Sequence, residues 1–153
     1  MAVLRITKAG DPVLKGQAQP VKTITKRIKR LLDNMAETMY AAEGVGLAAP
    51  QVNESLQLVV LDDGNGLIEL INPELLEASE EMELGAEGCL SVPGYYGDVS
   101  RHKKITVRAR NRYGKEIIYE VEGFLARIFQ HEMDHLQGDL FIEKATNLRK
   151  VGE

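Results

Sequence analysis

The segment EGFLARIFQHEMDHLQG, residues 122–138, constrains the fold more than any other part of the chain. Its apolar spacing predicts a helix over 123–136 that ends before Gly138. Such a helix brings four residues to one face, at i, i+4, i+7 and i+11: Phe124, Ile128, His131 and His135. Because this face begins with apolar residues, we expect it to point into the core and to carry both histidines inward.

The histidines of this helix form the pattern H-E-x-x-H, with Glu132 directly after His131. Two imidazoles four residues apart can bind one cation, and the glutamate can take a proton from water at that cation. The same string also occurs by chance. In that case Gln130 and Asp134 are ordinary surface residues, and a third ligand is needed to decide between the two interpretations.

Cys89 is the strongest candidate for the third ligand. It lies in GAEGCLSVPG, where glycines and a proline allow the backbone to turn and approach another group. His102 lies in the basic stretch SRHKK and is expected to be a solvated loop residue. A thiolate and two imidazoles leave a fourth position open, which is typical of catalytic rather than structural zinc sites. Ligand type alone therefore favours zinc.

The segment GVGLAAPQ, residues 44–51, contains G-x-G-x-x-A, the dinucleotide fingerprint. That motif requires a strand before it and a helix after it. Here a predicted helix precedes it, and Pro50 would interrupt a following one. We favour a close approach of backbone to a ligand, with Gln51 supplying an amide donor.

The rest of the chain predicts one further helix and two hairpins. The helix spans residues 25–43, on helical apolar spacing. The stretch 94–103 is expected to be a loop, and the polar tail from Glu143 to fray. This order predicts a single α+β domain over 1–153, with antiparallel or mixed sheets packed around the C-terminal helix that carries HEMDH. The hairpins pair 56–62 with 67–72, and 104–110 with 116–123.

Charge and hydropathy narrow the classes of partner. A formal net charge of −4 gives no reason to expect DNA or an anionic membrane surface. No apolar run approaches the roughly 18 residues that a membrane span needs. The N-terminus MAVLRITKAGDP has no apolar signal segment. We therefore expect a cytoplasmic protein.

Three segments in this order, GVGLAAPQ, EGCLS and HEMDH, resemble the signatures of the peptide deformylase family, and the resemblance covers nearly the whole chain. It implies removal of the N-formyl group from N-formylmethionyl peptides, with possible docking near the ribosomal exit tunnel. It also implies one Fe²⁺, for which Zn²⁺, Ni²⁺ or Co²⁺ can substitute. The compact bacterial type is the most similar.

The resemblance also implies a role for each matching residue. Glu132 would be the general base that later protonates the leaving amine. Gln51, through its side-chain amide, and Leu90, through its backbone N–H, would bind the developing oxyanion. The implied metal ligands are Cys89, His131 and His135. The implied wall of the methionine pocket comprises Val45, Gly46, Phe124, Arg127 and Ile128.

Alternatives remain at this point. A metallopeptidase that cuts ordinary peptide bonds is compatible with H-E-x-x-H, although a cysteine ligand argues against it. A catalytically silent metal-binding module would be expected to have lost at least one of these residues, and a metal-free structural domain would not need them. Asp134 is expected to orient a ligand or to pair with a basic residue such as Arg101.

Overall fold

The computed structural model describes residues 2–151. Within these residues, helix α1 spans Lys26–Ala41 and helix α2 spans Gly123–Leu136. Both predicted helices are confirmed. Thr25 caps α1, since its side chain accepts a hydrogen bond from the Ile28 N–H. None of the helices described is long and apolar enough to cross a membrane.

The strands form two antiparallel sheets, in agreement with the predicted α+β class. The five-stranded sheet has the order β1-β2-β3-β6-β7, and the three-stranded sheet has the order β4-β5-β8. Both predicted hairpins are confirmed, as β2 with β3 and β6 with β7. The strands are β1 Gly46–Ala48, β2 Leu58–Leu61, β3 Ile68–Ala78, β4 Met82–Cys89, β5 Val92–His102, β6 Lys104–Arg110, β7 Glu116–Glu122 and β8 Thr146–Lys150.

The small sheet corrects three predictions. The expected loop 94–103 is mostly strand β5, which pairs along β4. His102 is therefore a half-buried strand residue, with Nδ1 2.7 Å from the Ser79 carbonyl oxygen. The polar tail forms β8 against β5. Its side chains are exposed, so its polarity reflected solvent contact rather than fraying.

The core lies on both faces of the large sheet. Alternate residues of β2 point to opposite faces: Val59 and Leu61 pack in the cluster that contains α2, and Leu58 and Val60 pack in the cluster that contains α1. All four side chains are fully buried. Helix α2 also contacts β4 and β5 of the small sheet through Arg127, and this junction positions the site.

Candidate metal centre

The three predicted ligands come together where β4 ends beside α2. One ligand atom each from Cys89, His131 and His135 lies within 4.8 Å of the others. The Cys89 Sγ is 3.3 Å from the His135 Nε2. The strand brings the thiol to the site, because Cys89 is the last residue of β4 before the turn at Leu90. Together the three donors match a metal site with an open position.

Two buried polar atoms at this site have no hydrogen-bond partner among the described residues: the Oε1 of Glu132 and the Nδ1 of His135. The Glu132 Oε2 is 4.0 Å from the His131 Nε2. Burial raises the pKa of Glu132 to about 7. An unpaired buried polar atom is costly, so its presence here fits a site that binds an ion, water or a substrate.

The histidine pKa values differ for physical reasons. Burial alone would lower the pKa of His131, but hydrogen bonds with Cys89 and Glu87 raise it to about 10. Burial, followed by the charge of His131, lowers the pKa of His135. A metal cation can replace the proton that the charged imidazole of His131 carries on Nε2, because metal ligands bind deprotonated.

Glu87 holds His131 from the side opposite the ligands. Its Oε1 is 2.8 Å from the His131 Nδ1. Arg101 donates to both carboxylate oxygens at 2.8 Å, and Arg127 donates to Oε2 at 2.7 Å. Burial would raise the pKa of Glu87, yet hydrogen bonds from Arg101 and His131 lower it to about 2. Because a carboxylate can only accept, the His131 Nδ1 carries the proton and Nε2 faces the ligands.

Sequence reasoning missed Glu87. The available signal was strand alternation, which places Glu87 and Cys89, two residues apart, on the same face of β4. The strand itself was not predicted, so the signal was not used. The predicted ion pair between Asp134 and Arg101 is confirmed, with the Arg101 Nη1 2.6 Å from the Asp134 Oδ2.

The segment GVGLAAPQ forms β1 and a short 3-10 helix, Ala49–Val52, and not the strand-to-helix turn of a dinucleotide site. A Cβ on Gly46 would lie 2.6 Å from the Glu132 Oε2, so only glycine leaves room for that carboxylate. Gln51 is buried beside the cluster. Its Nε2 donates to the Ser91 Oγ at 3.2 Å and lies 3.5 Å from the Cys89 Sγ.

A cavity of about 460 Å³ opens beside the cluster. All five predicted pocket residues line it, as do Gln51, Leu90, Glu132 and the predicted ligands Cys89 and His131. Phe124 is 56% exposed at this cavity, so the expectation that it points into the core was wrong. The small sheet supplies a part of the wall that was not predicted, including Ala86, Pro93, Tyr95 and Tyr96.

Comparison with known proteins places these features in a family. The model of the polypeptide deformylase family matches residues 3–151. The chain is 59% identical to a peptide deformylase of Carboxydothermus hydrogenoformans over 152 residues, 99% of each chain. It is 58% identical to one of Halothermothrix orenii over 155 residues, 100% of this chain and 98% of the other.

Solved structures of peptide deformylases are also similar to this chain. The crystal structure of peptide deformylase from Thermotoga maritima matches with a TM-score of 0.93 at 46% identity, over 94% of this chain and 98% of the other. That of a peptide deformylase from Synechococcus elongatus in complex with actinonin matches with a TM-score of 0.91 at 40% identity, over 94% of this chain and 79% of the other.

Proposed function

The chain belongs to the polypeptide deformylase family, metal-dependent hydrolases that remove the N-formyl group from nascent polypeptides, and we propose that the cluster at the junction of β4 and α2 is its active centre. One observation carries the assignment. The three donor atoms of Cys89, His131 and His135 lie within 4.8 Å of one another beside the unpaired, buried Oε1 of Glu132. No ordinary packing role requires that arrangement.

Cys89, His131 and His135 would hold one divalent ion. Sulfur and imidazole ligands suit zinc, whereas the family resemblance favours Fe²⁺, with Zn²⁺, Ni²⁺ or Co²⁺ as substitutes. When bound, such an ion acidifies a water molecule and polarises a carbonyl oxygen. The family is metal-dependent, and Fe²⁺ is our proposal for the native ion.

Glu132 would act as the general base and then as the general acid. A carboxylate with a pKa of about 7 can accept a proton at neutral pH and give it back to the leaving amine. Its burial and its Oε1 support this role, because that oxygen has no hydrogen-bond partner among the described residues. Gly46 supports it as well, by leaving the space that the carboxylate occupies.

Gln51 and Leu90 would stabilise the oxyanion that develops at the formyl carbon. The Gln51 Oε1 accepts from the Ala48 N–H at 2.9 Å, which orients the amide so that Nε2 points toward Cys89 and Ser91. Leu90 follows Cys89 directly, so its backbone N–H belongs to the same turn. One such donor is worth roughly 3 to 4 kcal/mol in another hydrolase.

The 460 Å³ cavity would receive the N-formylmethionyl end of the substrate. Its wall places apolar side chains, among them Val45, Phe124 and Ile128, next to the polar groups of the cluster, a combination typical of small-molecule pockets. The proposed pocket residues are Val45, Gly46, Phe124, Arg127 and Ile128. We propose that residues 1–153 form one catalytic domain. We also propose that the protein is cytoplasmic and docks near the ribosomal exit tunnel, because nascent chains emerge there.

The test is formate release from a formyl-Met peptide by protein purified without oxygen, with Fe²⁺, Ni²⁺, Co²⁺ or Zn²⁺ restored in turn. We expect release that stops with a chelator and returns with metal, fastest with Fe²⁺. The matched control is the same peptide without its formyl group, which should remain uncut. Cleavage of the control would indicate a peptidase. No release with any bound ion would indicate a catalytically silent centre.

A further inference from the structure

Arg127 belongs both to the wall of the cavity and to the contacts between α2 and the small sheet. It lines the cavity, and its guanidinium reaches across to the small sheet. Its Nη1 donates to the Glu87 Oε2 at 2.7 Å and to the Val99 carbonyl oxygen at 2.8 Å. Its Nη2 donates to the Glu83 carbonyl oxygen at 2.6 Å. The side chain is 9% exposed, so these are contacts made away from water.

The guanidinium is therefore occupied by the protein and is not available to a substrate. Its positive charge is offset by Glu87, whose side chain is 4% exposed. The group packs on the open face of Gly85, where a Cβ would lie 2.9 Å from the Arg127 Cζ. The sequence of β4 thus provides both the carboxylate and the space for this arginine.

Glu87 connects Arg127 with the cluster of predicted metal ligands. Glu87 uses one oxygen for Arg127 and the other for the His131 Nδ1, at 2.8 Å. Arg101 donates to both oxygens and holds the carboxylate from a second direction. Two arginines on one buried carboxylate fix its orientation more firmly than one, because rotation of the carboxylate would break contacts with both.

We propose that Arg127 is a positioning residue for the metal ligand His131, acting through Glu87, and that it couples the wall of the substrate pocket to the metal centre. This rests on the proposed function of the cluster. Partners that orient a ligating histidine commonly change metal affinity by about 10- to 100-fold when they are removed. Arg127 lies one residue further out than such a partner, so its effect should pass through the Glu87–His131 contact.

Arg127→Met tests this, because methionine keeps an unbranched apolar side chain at the pocket but removes every donor. Binding of Co²⁺ is measured by visible absorption in competition with a chelator. We expect affinity to fall by about 10-fold or more and the absorption bands to shift as the imidazole changes orientation. With the Co²⁺-loaded protein, kcat for a formyl-Met peptide should fall more than KM rises.

Arg112→Met is the matched control. Arg112 also donates hydrogen bonds to carboxylates through two of its nitrogens. These carboxylates belong to Glu69 and Asp33 and lie outside the site. It should leave the Co²⁺ affinity, the spectrum and the kinetic constants at wild-type values. Arg127→Lys retains a charge for Glu87 and should recover part of the affinity. It also provides the test if Arg127→Met does not fold, as judged by circular dichroism.

A double-mutant cycle separates positioning from general destabilisation. Glu87→Gln keeps an oxygen that can accept from the His131 Nδ1, but it ends the ion pair with Arg127. We expect Arg127→Met to lower the Co²⁺ affinity much less in the Glu87→Gln background than in the wild type. The same loss in both backgrounds would overturn the proposal, as would wild-type affinity and spectrum in Arg127→Met. Absence of formate release by the wild type would instead contradict the proposed function. The two failures can be distinguished, because the Co²⁺ titration does not depend on turnover.

Discussion

The two sides of the His131 ring differ in how completely their polar atoms are paired. On the ligand side, the Glu132 Oε1 is buried without a hydrogen-bond partner in the part of the chain that is described. On the opposite side, both oxygens of Glu87 are engaged by the guanidinium groups of Arg101 and Arg127 and by His131 itself. The side chains of Glu132 and Glu87 are 5% and 4% exposed, so burial alone does not explain the difference.

The difference indicates that the two sides of the His131 ring have different roles. A buried polar atom without a partner costs about 1–3 kcal/mol, and it is retained where chemistry needs a free acceptor or ligand atom. A buried carboxylate with several charged donors fixes geometry instead. Changes on the ligand side should therefore abolish metal binding or turnover with the fold intact, and changes on the Glu87 side should weaken the fold.

Cys89→Ala should have the largest functional effect. It removes one of three ligands and leaves two imidazoles, which hold a catalytic metal weakly. We expect the variant to fold, to lose bound metal on dialysis and to lose activity with it. Metal analysis after dialysis, with wild-type protein alongside, measures this. Retention of one metal per chain would show that Cys89 is not a ligand.

Glu132→Ala should lose about 10²- to 10⁴-fold in turnover, the usual contribution of a general base. The metal should remain, because the carboxylate is not among the three clustered donors. Thermal stability should hold or rise, since the substitution removes a buried, unpaired oxygen. The measurements are formate release, metal content and melting temperature on the same preparation. Near-normal turnover would contradict the assigned mechanism.

Glu87→Ala should weaken the fold, because it changes the side of the His131 ring on which the polar atoms are paired. It leaves Arg101 and Arg127 buried without their shared carboxylate. Among the described residues, Arg101 keeps a second carboxylate, that of Asp134, and Arg127 keeps none. Breaking a buried ion pair in this way costs about 3–5 kcal/mol. Urea denaturation should show that loss in the free energy of unfolding, with Glu87→Gln less affected. A loss below about 1 kcal/mol would mean that the cluster is not structural.

The two sides of the His131 ring also differ in how far the sequence could predict them. Helix α2 and its histidines follow from local periodicity, and the predicted range 123–136 agrees with Gly123–Leu136. The Glu87 contacts join residues 14, 40 and 44 positions apart, so no local pattern contains them. The two helices, the two hairpins and the histidine pair were therefore predictable, and the contacts of Glu87 were not.

The small sheet was missed because its glycines were interpreted as turn signals. In the structure they make room for neighbouring side chains. A Cβ on Gly85 would meet Arg127, and one on Gly88 would lie 2.7 Å from the Tyr96 ring. Both glycines thus allow close packing within β4, where a turn was the simpler interpretation of GAEGCLSVPG.

Glu69→Ala should have the smallest effect and sharpens the comparison most. Glu69 and Arg112 repeat the two-nitrogen contact of Glu87 and Arg101, at 2.7 and 2.8 Å. The Arg112 side chain, however, is 23% exposed against 5% for Arg101, and Asp33 remains to pair with it. Because solvent screens the pair and a second carboxylate persists, we expect a loss within about 1 kcal/mol, with metal content and turnover unchanged. Urea denaturation beside Glu87→Ala measures the difference. An equal loss in both variants would mean that contact geometry, and not burial, determines what these arginine–carboxylate pairs contribute.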